Sequence, residues 1–138
     1  MPEYGYYKKI PRPESIEYFK TTLKGHSKVS DITQLETQLF KITKTNDKEF
    51  LVHLTNFYIV GEAEVYEILS NHSDIKLDAI VTISNWNQCT SDGKIVAKQN
   101  DIGLFVMSDF LGAINYDGQN FINYISPAEL ERSKSRHR

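Results

Sequence analysis

Residues 77–115 constrain the fold more than any other part of this chain, because two apolar runs flank a helical pattern there. Residues 77–84 are almost continuously apolar or β-branched, which is typical of a strand covered on both faces. Residues 102–107 form a second run of the same kind, and Thr90 or Ser91 can cap a helix between the two runs. A strand, a helix and a strand this close together predict a right-handed crossover with parallel pairing.

The chain upstream of this stretch predicts two helices and a β-hairpin. Residues 14–24 place apolar side chains at helical spacing, and Gly25 follows them as a stop signal. Residues 38–45 and 49–57 are rich in β-branched and aromatic side chains on either side of a short polar turn, which predicts an antiparallel hairpin. Gly61 then opens a second amphipathic helix.

Three further elements are predicted downstream. Ser108 or Asp109 can cap a short helix at residues 110–115. Residues 121–125 predict a short strand at the edge of the sheet, after a tight-turn signal. A serine, a proline and an acid at residues 126–129 have the spacing of a helix start, so a final helix is expected to begin there.

These elements predict an α/β fold, a three-layer-type sandwich with a central mixed β-sheet flanked by helices. The sheet would combine the antiparallel hairpin with the parallel βαβ pair. At 138 residues the chain is expected to form a single domain. Residues 1–13 would be an extended N-terminal arm, residues 14–125 the core, and residues 126–138 a C-terminal helix with a basic tail.

Charge and cysteine content narrow the classes of function. The formal net charge of −2 provides no global field for nucleic acid or acidic membranes, so any contact with a polyanion must rest on a local patch. The single cysteine, Cys89, excludes an internal disulfide and a multi-cysteine metal site, and it favours a reducing compartment. The sequence shows no signal peptide and no apolar run of about 18 residues, so a cytoplasmic protein without a membrane partner is expected.

The central stretch also resembles a known family. A strand that ends in a Val-Thr pair leads through an aromatic residue and a threonine into an alanine-containing helix, and a strand opening with isoleucine and a leucine-containing helix follow. The residues are Val81, Thr82, Trp86, Thr90, Ala97, Ile102 and Leu111. This pattern is similar to the second half of Mrr-like domains of the restriction-endonuclease-like, PD-(D/E)xK superfamily. Residues 51–69 resemble the strand and helix that precede it there, so the resemblance covers residues 38–115.

The resemblance implies a metal site that this sequence lacks. In active members an acid on the first hairpin strand and an acid-x-Lys triplet on the second hold Mg²⁺ and activate water. His53, Leu54 and Thr55 stand at the place of the triplet, which makes His53 and Thr55 degenerate active-site positions. No catalytic residue, metal ligand or cofactor is therefore assigned. A Mg²⁺-dependent nuclease would have to use other acids, and the candidates are Glu36, Asp47, Glu49, Glu62 and Glu64.

The loop after the central strand is the second candidate site. In open α/β sheets ligands bind beyond the carboxyl ends of the strands, and a helix N-terminus attracts anions. The residues predicted to contact nucleic acid or another anion are Asn85, Trp86, Thr90, Ser91 and Lys94, together with Arg136 and Arg138 of the basic tail. A structural interpretation explains the same residues, in which the loop is a helix cap with Trp86 folded over the sheet.

Three hypotheses follow for the function. The first is a non-catalytic nuclease-fold domain that binds nucleic acid or a protein partner in a prokaryotic or phage DNA-processing or defence system. The second is a divalent-metal-dependent nuclease with a rearranged acidic site. The third is a protein-interaction module that forms a homodimer through the edge strand predicted at residues 121–125.

Overall fold

The computed structural model describes residues 9–84, 86–127 and 130. The secondary structure of this part of the chain alternates between short strands and helices. In chain order the elements are α1 (Pro13–Lys24), β1 (Val29–Glu36), β2 (Leu39–Lys44), β3 (Glu49–Thr55), β4 (Ile59–Val60), α2 (Glu62–Asn71), β5 (Ala79–Thr82), β6 (Gln88–Cys89), α3 (Ser91–Gln99), β7 (Gly103–Val106), α4 (Met107–Ala113) and α5 (Gly118–Ile122).

The five longer strands form one mixed sheet in the order β1-β2-β3-β5-β7. Strands β1, β2 and β3 are antiparallel to one another, whereas β3, β5 and β7 run parallel. Helix α2 lies between β3 and β5 in the chain, and α3 lies between β5 and β7, so each parallel pair is joined through a helix. The predicted α/β fold, an antiparallel hairpin combined with a parallel βαβ pair, is confirmed.

Helices cover both faces of this sheet. On one face α1, α4 and α5 contribute Phe19, Phe110 and Phe121 to one buried cluster. On the other face α2 and α3 contribute Ile68 and Val96 to a second cluster. Strand β5 is buried at each of its four positions because it is covered on both sides, as its unbroken apolar sequence predicts.

Alternation along β3 decides which side chains face the second cluster. Phe50, Val52 and Leu54 belong to the cluster under α1, and the residues between them point to the opposite face. Leu51 accordingly packs against the cluster under α2 and α3. By the same period of two, His53 faces α2 from the middle of a buried strand.

Two sequence predictions about secondary structure are wrong, and one strand is missed. Strand β1 is not predicted, because only Val29 and Ile32 of its eight residues are buried and its pattern resembles a polar loop. Residues 121–125 do not form an edge strand, since Phe121 lies in α5 and its ring packs 4.9 Å from that of Phe50. Neither Ser108 nor Asp109 caps the following helix, because α4 begins at Met107 directly after β7.

The predicted C-terminal helix falls largely outside the described residues. The Leu130 amide donates a hydrogen bond to the Ser126 carbonyl at 2.9 Å, which is the spacing of one helical turn. Residues 1–8 of the arm and the basic tail at residues 131–138, including Arg136 and Arg138, are not among the described residues. Within the described ranges no helix is long and apolar enough to span a bilayer.

Candidate functional site

His53 forms a hydrogen bond with a second histidine in the structure. Its side chain is 6% exposed, and its Nδ1 lies 3.0 Å from Nε2 of His72. His72 is the C-cap residue of α2, which follows β3 in the chain and brings this residue back over the strand. The rings meet edge to face, with centroids 5.0 Å apart.

A glutamine at the end of the neighbouring strand contacts the other ring nitrogen of His53. The Gln38 Nε2 group donates to the Leu54 carbonyl at 3.0 Å, so this atom is the amide nitrogen rather than the oxygen. The same nitrogen lies 3.4 Å from His53 Nε2 and 3.5 Å from the Lys9 carbonyl oxygen. When His53 Nε2 accepts from Gln38, the proton of the neutral imidazole is on Nδ1 and faces His72 Nε2.

The surroundings keep His53 uncharged. Burial is the main cause and the neighbouring His72 the second, and together they lower the pKa of His53 from 6.5 to about 3. His53 thus provides a fixed hydrogen-bonding group with no charge.

A cavity of about 370 Å³ opens above His53, and we call it the His53 cavity. Its lining combines polar, charged and apolar side chains from the arm, the sheet and α2: Lys9, Ile10, Gln38, His53, Thr55, Phe57, Glu67, Ile68 and Asn71. His53 and Thr55, which the sequence resemblance singled out, both belong to this lining. A strongly shifted pKa inside a cleft is a common property of functional sites.

The end of the arm is anchored at the rim of the His53 cavity. The carbonyl of Lys9 accepts hydrogen bonds from the Thr55 hydroxyl at 2.9 Å and from the Asn56 amide at 2.8 Å. The ammonium of Lys9 lies 3.3 Å from Glu67 on α2 and 5.9 Å from the ring centre of Phe57. The hydroxyl of Thr55 is therefore already engaged by the chain itself.

None of the five acids considered for a rearranged nuclease site, Glu36, Asp47, Glu49, Glu62 and Glu64, lines the His53 cavity. Asp47 and Glu49 stand at the hairpin end of β3, and Glu49 lies 3.7 Å from Lys41. Glu64 is near the opposite end of that strand, where its carboxylate accepts the Gly61 amide at the start of α2. Seven residues of strand separate the two ends by roughly 20 Å. Among the described residues, no three histidine, cysteine, aspartate or glutamate side chains are close enough to share a metal ion.

The loop after β5 is held by a buried polar network. Asn87 donates to Thr82 Oγ1 at 2.8 Å and to Asn56 Oδ1 at 3.2 Å. Thr82 in turn donates to the Phe57 carbonyl at 2.9 Å. The short parallel pair of β4 and β6 continues this attachment beyond the main sheet. The carboxyl ends of β3 and β5 are thus closed by the chain's own side chains.

Trp86 projects from this loop into solvent. Its side chain is 82% exposed, so the structural interpretation in which it folds over the sheet is wrong. Tyr58 and Ile59, on the segment that pairs with this loop, are 62% and 48% exposed. We call Tyr58, Ile59 and Trp86 the aromatic edge. Sequence reasoning selected Trp86 but missed Tyr58, because the β4–β6 pairing that brings their segments together has only two residues a strand.

Of the other residues predicted to bind an anion, Thr90 caps α3, and Ser91 and Lys94 lie on that helix. Thr90 is the N-cap of α3, and its hydroxyl accepts the Gly93 amide at 2.9 Å, which confirms the predicted cap. Ser91 is exposed at the first position of the helix. Lys94 lines a separate cavity of about 110 Å³ with Lys98 and Tyr124. Asn85 lies outside the described residues.

No protein-family model, no curated protein and no solved structure matches this chain. The resemblance to Mrr-like nuclease domains therefore stays a prediction. Sequence reasoning singled out His53 and Thr55, but it missed His72, Lys9 and Glu67 as their neighbours. A helix of ten residues after β3 must return along the strand, and this geometry is the signal that could have pointed to His72.

Proposed function

We propose that this protein is a non-catalytic, restriction-endonuclease-like domain that binds single-stranded nucleic acid through the aromatic edge. The observation that carries the proposal is the 82% exposure of Trp86. Leaving an indole in water forgoes about 25 cal/mol for each Å² of apolar surface. A ligand with a planar face recovers that free energy, which is why exposed aromatic side chains are common on surfaces that bind unpaired bases.

The character of the aromatic edge favours a single strand over a duplex. Unpaired bases can present their π-faces to Trp86 and Tyr58, whereas bases in a duplex stack on one another and expose only their edges. The edge also lies beyond the carboxyl ends of the parallel strands, next to β6, where open α/β sheets commonly bind ligands. Stacking of this kind tolerates any base, so little sequence preference is expected.

The non-catalytic part of the proposal is supported by the former active-site positions. His53 is neutral and buried, and the Thr55 hydroxyl is engaged by the Lys9 carbonyl. Metal-bound carboxylate oxygens lie within roughly 2.0–2.6 Å of the same ion. Glu49 and Glu64, at opposite ends of β3, are too far apart to meet that condition.

Charge has a small part in this proposal. The chain carries a formal net charge of −2, and Lys9 beside the cavity is paired with Glu67. Affinity for single strands falls with salt by a slope of about −0.7 for each phosphate neutralised. We therefore expect a shallow slope between about −1 and −2, much weaker than that of a protein with an extended basic surface.

Fluorescence anisotropy of a labelled single-stranded oligonucleotide tests the proposal. Trp86→Ala is expected to weaken binding about tenfold or more, since base–aromatic stacking contributes about 1–3 kcal/mol per base. Tyr18→Ala is the matched control, because Tyr18 is 53% exposed but lies on α1, across the sheet. Equal losses for both variants, or no binding by the wild-type protein at low salt, would contradict the proposal.

A further inference from the structure

We propose that the His53 cavity is a binding site for one uncharged heteroaromatic base. This inference rests in part on the proposed function, because a bound single strand would supply the base. The cavity is nevertheless a site of its own, with a different lining and different chemistry from the aromatic edge. Its size, its charge and its free hydrogen-bonding groups each point to this class of ligand.

The volume of the cavity suits a single base with its sugar. About 370 Å³ is available above His53. Small-molecule sites span roughly 300–1,000 Å³, so this cavity is at the lower end of that range. A nucleoside would fill most of this space.

The charges around the cavity cancel, which favours an uncharged ligand over a phosphate. Lys9 Nζ lies 3.3 Å from Glu67 Oε2, so the two opposite charges of the lining form one ion pair. His53 adds no charge, because the imidazole is held neutral by its burial. An anion would have to displace Glu67 from Lys9, whereas an uncharged base leaves this exposed ion pair in place, although such a pair is weak.

Two amide groups at the cavity have hydrogen-bonding capacity to spare. Gln38 donates through Nε2, but its Oε1 accepts no hydrogen bond from any described residue. The Asn71 side chain, exposed at the end of α2, has no hydrogen-bond partner within the described ranges. Asparagine and glutamine amides recognise base edges because they offer a donor and an acceptor side by side.

Apolar groups complete the lining and connect it to the aromatic edge. Phe57, Ile10 and Ile68 provide surfaces against which a flat ring can pack. Phe57 is followed directly in the chain by Tyr58 of the aromatic edge. A single-stranded nucleic acid with one base stacked on the aromatic edge can therefore place a neighbouring base in the His53 cavity.

Titration of the full-length protein with single nucleosides, followed by NMR chemical shifts, tests this inference. Adenosine, guanosine, cytidine and uridine are the probes, and ribose without a base is the negative control. A ligand of this size is expected to bind with a Kd of roughly 0.1–1 mM. The shifts should concentrate on the amides of Ile68 and Asn71 and on the Gln38 side chain. Adding a 5′-phosphate should not tighten binding, because Lys9 is already paired.

Asn71→Ala provides the matching variant. Asn71 is exposed, so its loss should leave the fold intact while weakening nucleoside binding by roughly fivefold, the value of one hydrogen bond. Asn123→Ala, at the end of α5, removes an amide elsewhere and should change nothing. Absence of saturable shifts at about 10 mM nucleoside, or unchanged binding in Asn71→Ala, would overturn the inference.

The two proposals fail in distinguishable ways. Oligonucleotide binding that depends on Trp86, without any nucleoside binding, would refute the cavity site and leave the proposed function standing. Nucleoside binding that survives in Trp86→Ala, without oligonucleotide binding, would support the cavity site and refute the proposed function. Absence of both would refute both.

Discussion

At the scale of single residues, His53 separates what the sequence could predict from what it could not. Its position on the second hairpin strand follows from the period of two, and so does its place within the sheet. Its partner does not follow, because the contact with His72 depends on the path of α2 back over β3. The neutral state of the imidazole depends on that same burial.

Burial of His53 also predicts how stability changes with pH. Its pKa is lowered from 6.5 to about 3 in the folded protein, so below pH 6.5 the unfolded chain binds a proton that the folded protein does not. The free energy of unfolding should therefore be highest above pH 6.5 and should fall toward pH 3. Between pH 6.5 and 5 the expected loss from this residue is about 1–2 kcal/mol.

Urea unfolding at several pH values measures this effect, with His53→Gln as the comparison. The glutamine cannot titrate, so only the wild-type protein should lose this part of its free energy of unfolding as the pH falls. The stability advantage of the wild-type protein over His53→Gln should therefore narrow between pH 6.5 and 5, before the carboxylates protonate. Profiles that stay parallel across this range would show that burial of His53 has no such effect.

At the scale of elements, hydrophobic patterning predicts the parts of the fold that are buried on both sides. Strand β5 shows a continuous apolar run, and α3 has a recognisable cap at Thr90. Strand β1 gives no such signal, because it lies at the edge of the sheet and most of its side chains are exposed. Residues 121–125 have the composition of a strand, but Phe121 belongs to helix α5 and its side chain is buried in the core from there.

The start of α3 packs so closely against the backbone of Val60 and Gly61 that a single added methyl group should disturb the contact. A Cβ on Gly93 would lie 2.7 Å from the Val60 carbonyl oxygen and 3.1 Å from Gly61 Cα. Gly93→Ala should therefore lower the free energy of unfolding by about 1–2 kcal/mol, despite the higher helix propensity of alanine. Gly25→Ala is the control for urea unfolding, because its nearest contact would be 3.7 Å away. Equal changes in the free energy of unfolding for the two variants, relative to the wild-type protein, would mean that β4 does not pack against α3 this closely.

At the scale of the whole molecule, the two faces of the sheet differ in character. The cluster under α1, α4 and α5 is rich in phenylalanine and accounts for much of the buried core. The opposite face carries His53 and the His53 cavity, and the aromatic edge lies beyond the ends of the same strands. Under the proposed function, this end of the sheet presents the aromatic edge to unpaired bases as a stacking surface.

Trp86 is the only tryptophan in the chain, so its fluorescence reports on the aromatic edge alone. The most direct measurement is the emission of the wild-type protein during titration with a short single-stranded oligonucleotide and, separately, with the same sequence as a duplex. Stacking of a base on the indole predicts saturable quenching by the single strand and little change with the duplex. Unchanged emission with the single strand, while anisotropy shows it to be bound, would place binding elsewhere and contradict the account.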